Sequence, residues 1–132
     1  MYLLLKIASI ALLLLTVLGL RPTEASSLLP TGHEVAGVQL DGNTSGYTLS
    51  NNPQGNSIQT SSVQTDDAGK VTSFMLGNSL FTWDSFRNGY RAEFAPTGTD
   101  LITFTPKTGG GYNYTWKVHN NGGTVGGTAT AT

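Results

Sequence analysis

The sequence predicts an all-β domain: a small antiparallel β-sandwich or barrel built of short hairpins, preceded by a cleaved signal peptide. Three observations carry this. From Val35 onward, short runs alternate apolar with polar residues and are separated by Gly, Asn and Asp, the signature of strands joined by tight turns. Beyond the N-terminal segment, no stretch repeats its apolar residues at helical spacing. Finally, the 132-residue chain has no cysteine, so an exported domain of this size must rest on sheet hydrogen bonds and apolar packing.

The N-terminus reads as an export signal. Lys6 is followed by an apolar run over 7–20, then Arg21, Pro22, and small residues at Thr23 and Ala25. That run is shorter than the roughly 20 apolar residues of a spanning helix, and the small residues place cleavage after Ala25. Residues 1–25 are thus the signal peptide and 26–34 a flexible leading segment with Pro30 and Gly32. Residues 35–118 form the antiparallel β domain. Residues 119–132 are a Gly/Thr-rich tail, read either as a frayed end or as a weak last strand.

Within the domain, strands are expected near 35–40, 47–50, 57–64, 70–76, 80–84, 90–95, 100–105 and 112–118. "TDDAGK" supplies turn residues, with Gly69 free to take positive φ. Asn88-Gly89 and Asn121-Gly122 suit tight primed turns, and Pro96 and Pro106 fall at strand ends. "GNSLFTWDSFRNG" from Gly77 and "GGYNYTWKVHNNG" from Gly110 echo each other 33 residues apart, with "GYTLSNN" from Gly46 a fainter copy.

Charge narrows the partners. After Ala25 there are five basic residues (Lys70, Arg87, Arg91, Lys107, Lys117) and seven acidic ones (Glu34, Asp41, Asp66, Asp67, Asp84, Glu93, Asp100), a balance of −2. With no basic cluster, neither nucleic acid nor, once the signal is removed, a membrane is the expected partner. No cofactor is expected either. The domain would be secreted and extracellular, or periplasmic in a Gram-negative bacterium, with a protein matrix or a polysaccharide as its partner.

Several residue sets could carry function. Tyr112, Tyr114 and Trp116 share one face of a strand. Packing is the ordinary use of such rings, because burying each stabilises a small core by roughly 1.5–3 kcal/mol. As a ligand-binding face they would stack on the C–H faces of sugars while neighbouring Asn and Thr bind hydroxyls. Asp41, Asn43 and Ser45 match the opening of a calcium loop, but Asn52 stands where a bidentate Glu belongs, so no metal is expected. Asn43 and Asn113 head N-x-Ser/Thr sequons and would accept glycans in a eukaryotic secretory pathway. Catalytic constellations are missing: His33 and His119 stand apart, and there is no nucleophile elbow or zinc spacing. The Thr-rich strands read as ordinary wet sheet faces.

The resulting expectation is a non-enzymatic extracellular binding or structural β-domain. The first alternative is a carbohydrate-binding module using the aromatic face. The second is a small hydrolase needing a carboxylate pair drawn from Asp84, Glu93 and Asp100.

Overall fold

The computed structural model of the chain describes residues 36–132. The expected signal peptide, 1–25, and the segment 26–34 lie outside them. Eight strands follow one another: β1 (Tyr47–Leu49), β2 (Ile58–Thr65), β3 (Val71–Leu76), β4 (Ser79–Asp84), β5 (Gly89–Phe94), β6 (Gly98–Pro106), β7 (Tyr112–Lys117) and β8 (Thr124–Ala131). Each pairs antiparallel with its neighbours in sequence, and β8 returns to β1 (Tyr47↔Ala131, Leu49↔Ala129), so the sheet closes. Of the two architectures expected, the structure has the barrel; among the described residues there is no helix.

An eight-stranded barrel is just wide enough either to be filled by side chains or to hold one small ligand. This one is filled. Alternation along the strands sends Leu49, Phe74, Phe81, Tyr90, Ile102, Phe104, Tyr114, Trp116 and Ala129 inward, all buried. Their rings pack on one another, with Phe74 stacked on Phe81 at 5.6 Å and Trp116 meeting Phe81 edge-on at 5.6 Å. Outward positions such as Gln59, Ser61, Thr82, Thr115 and Lys117 are polar and exposed. In β2 a bulge adjusts this alternation. Ser62 adopts φ 51° and both Ser61 and Ser62 face out, which returns Val63 to the inner side.

Two stretches depart from expectation. Of the expected strand 35–40, the described residues 36–40 are not a strand: Val38 donates its N–H to the Phe104 carbonyl at 2.9 Å, and Leu40 accepts from the Val71 N–H at 2.9 Å. The segment thus straps across one rim from β6 to β3 and inserts Leu40, 1% exposed, into the opening. Its apolar alternation imitates a strand because it seals a core edge. The tail, in contrast, holds a full strand, β8, which closes the wall. Gly127 is small for a reason: a Cβ there would lie 2.5 Å from the Ser50 carbonyl oxygen.

The echo between Gly77–Gly89 and Gly110–Gly122 falls on β4 and β7. Three strands apart in an up-and-down barrel means opposite directions, so the copies share inward aromatic positions without sharing an orientation.

Candidate functional site

The strands gather the turns into two rims. At the first are the turns 66–69, 85–88 and 107–111, the strap, and the ends of β1 and β8. Three inward-facing tyrosines tie the strap down. Tyr90 donates its O–H to the Val71 carbonyl at 2.8 Å and accepts from the Leu40 N–H at 2.9 Å. Tyr47 donates to the Asp41 carbonyl at 2.7 Å, and the Asp41 N–H donates to the Tyr112 hydroxyl oxygen at 3.1 Å. Tyr47 and Tyr112 meet edge-on at 5.8 Å. Burial, the leading cause, pushes the phenols of Tyr47 and Tyr90 well above their ordinary value.

Outside this ring of phenols lies an open groove of about 880 Å³, within the size range of small-molecule sites. Gln39, Asp41, Lys70 and Lys107 bring polar and charged groups to it, Tyr112 an aromatic edge, and the Gly109–Gly111 turn an unshielded backbone. Lys70 donates to the Asp41 carboxylate at 2.7 Å. That hydrogen bond, with the charge behind it, holds Asp41 below the usual carboxylate range and Lys70 above the usual lysine range.

The second rim carries a buried polar cluster. Asp100, 3% exposed, accepts from the Trp116 indole N–H at 2.8 Å and from the His119 backbone N–H at 2.8 Å. It also faces the His119 Nδ1 at 2.5 Å, and the His119 ring stacks on Phe94 at 4.4 Å. The imidazole is thereby fixed by a carboxylate on one edge and an aromatic face on the other, and the indole has its single donor satisfied.

The residues singled out in the sequence are dispersed by this arrangement. Tyr114 and Trp116 lie inside the barrel, 3% and 7% exposed, and cannot offer a stacking face; the alternation fixes that they share a side, and that side is the core. Tyr112, one turn from the rim, is half-buried and keeps an edge on the groove. In the calcium-like loop, Asp41 is held by the Lys70 ammonium, and Ser45 Oγ lies 3.2 Å from Thr132 Oγ1. A cation at Asp41 would have to displace an ammonium. Asn43 is exposed on the groove lining, and Asn113 is exposed on the outer wall between Thr105 and Thr128. The three carboxylates considered for hydrolysis do not share a cleft. Asp84 and Glu93 face Arg91 on the outer wall, whereas Asp100 points inward.

Sequence reasoning missed the groove and the Asp100 cluster. The second had a visible signal: Asp100 shares the parity of Ile102 and Phe104, so a carboxylate on the apolar side of a strand already required buried donors. The groove had none, because the strap that forms one bank resembles a strand. No protein-family model, no curated protein and no solved structure matches this chain.

Proposed function

We propose that the chain is an exported, non-catalytic binding domain, processed after Ala25, that takes a saccharide in the groove at the first rim. One observation carries the reading: the barrel interior is filled with rings, while the groove outside it combines an aromatic edge, side-chain donors and acceptors, and bare backbone. Sugars need that mixture of a C–H-accepting ring edge and dense hydrogen bonding. The polar outer wall and apolar interior, the inverse of a lipid-facing barrel, support an aqueous location.

The test is a titration of the ¹⁵N-labelled processed chain with a panel of neutral and acidic oligosaccharides, alongside retention on insoluble polysaccharides. Shifts clustering at Lys70, Lys107, Gly109–Gly111 and Tyr112, and lost in a folded Tyr112→Ala variant, are expected. Shifts confined to the second rim or the outer wall, or none at all, would refute the assignment.

A further inference from the structure

We infer that the groove selects a negatively charged saccharide, whose carboxylate or sulfate group is held by Lys107 and the backbone donors of the Gly109–Gly111 turn. The inference rests on the saccharide reading above and adds the charge of the ligand. Three charged residues line the groove: Asp41, Lys70 and Lys107. The first two neutralise each other at 2.7 Å. Among the described residues Lys107 has no carboxylate partner, so the lining keeps one net positive charge.

The turn beside it adds donors. Lys107 donates its N–H to the Gly111 carbonyl at 3.0 Å, and Gly110 donates back to the Lys107 carbonyl at 3.0 Å. Among the described residues the N–H groups of Gly109 and Gly111 have no acceptor. Gly109, Gly110 and Gly111 take φ values of 92°, 113° and 72°, a region costly for any residue bearing a Cβ. No heavy atom comes within 4 Å of the place a Cβ would occupy at Gly109 or Gly110, so a ligand can approach the bare backbone there. Backbone amides left without an acceptor beside a cation favour anions.

Some of the acceptors nearby are already engaged. The Asp41 carbonyl takes the Tyr47 hydroxyl, and the Tyr112 oxygen takes the Asp41 N–H. Asp66, in the neighbouring turn, is bound to its own loop through the N–H groups of Ala68 and Lys70. Open backbone donors thus stand beside a net positive charge, which is the environment a carboxylate or sulfate completes.

Three probes separate the terms: a galacturonic acid trimer, the same trimer fully methyl-esterified, and a sulfated chondroitin disaccharide, each titrated at low salt with groove resonances as the readout. An acidic probe is expected to bind about fivefold more tightly than the ester, the upper range for one exposed charge contact. Lys107→Gln should bring the acids to the level of the ester, and added salt should narrow the gap. Preference for the sulfated probe over the uronate, or the reverse, identifies the anionic group. Equal binding of acid and ester, or a preference that survives Lys107→Gln, overturns the charge assignment while leaving a sugar site standing. No groove shift with any probe overturns both readings.

Discussion

Replacing Asp100 by alanine tests how the second rim is held. The carboxylate is 3% exposed and accepts three hydrogen bonds, from the Trp116 indole and from the backbone and ring of His119. Removing it strands the indole N–H inside the barrel, at a cost of about 1–3 kcal/mol for an unsatisfied buried donor. The two His119 donors sit nearer solvent, with 28% of that side chain exposed, so each loses only a net bond of about 1 kcal/mol. The sum is about 3–5 kcal/mol, a large share of the 5–15 kcal/mol typical of a small domain. Urea unfolding followed by tryptophan fluorescence measures it directly. A loss of about 3 kcal/mol also lowers the thermal midpoint by roughly 12–24 °C for a domain of this size. Asp100→Asn, which keeps one acceptor oxygen, should lose about half as much. A cost below about 1 kcal/mol for alanine, or equal costs for alanine and asparagine, would show that accepting these bonds is not what Asp100 contributes.

Three further outcomes follow from the same geometry. In a Trp83→Phe variant of residues 26–132, Trp116 should emit blue and resist acrylamide, being 7% exposed with its N–H bonded to Asp100; red, readily quenched emission from the folded domain would put it outside the core. The Asp41–Lys70 pair should make stability pH-dependent at both extremes. A depressed Asp41 contributes above the unfolded carboxylate value near 4 and loses its contribution as pH falls through its lower folded value. A raised Lys70 contributes below the unfolded value near 10.4 and loses it as pH climbs through its higher folded value. The difference in stability between wild type and Asp41→Asn should therefore span the neutral range and vanish in acid; a difference that persists below pH 2 would exclude this pair as its source. Burial also raises the phenols of Tyr47, Tyr90 and Tyr114, so their ultraviolet ionisation should come above the pH, near 10, at which free tyrosine titrates; ionisation of these three at the free-tyrosine pH in the folded domain would contradict their burial.

The strands were legible because a half-buried strand writes its period of two into the sequence. Phe81 and Trp83, Tyr90 and Ala92, and Ile102 and Phe104 all appear inside at the expected spacing. Periodicity names a face without naming its side, and so Tyr114 and Trp116 were readable as core, the ordinary use of such rings, or as a platform. The wall's closure was less visible. β8 places Gly127 and Ala129 inward, residues that carry almost no apolar signal; at Gly127 the Ser50 carbonyl leaves no room for a Cβ, and Ala129 is fully buried. The segment ending at Leu40 carries a strand-like signal for the opposite reason: it is apolar to plug an opening, and its hydrogen bonds run to two different strands and to a tyrosine hydroxyl. Small residues that pair and large residues that do not are the two cases in which composition and ladder part company.

The pairing of β8 with β1 also sets a timetable. The barrel's first and last strands are neighbours, joined through Thr48↔Thr130. A polypeptide leaving the ribosome or a translocation channel N-terminus first therefore has seven strands in hand with the wall still agape, its inner rings bared and the edges of β1 and β7 unpaired. Such edges invite pairing with another chain, and contacts spanning so much of the sequence are slow to form. Losing β8 alone would leave every nascent copy permanently in that state.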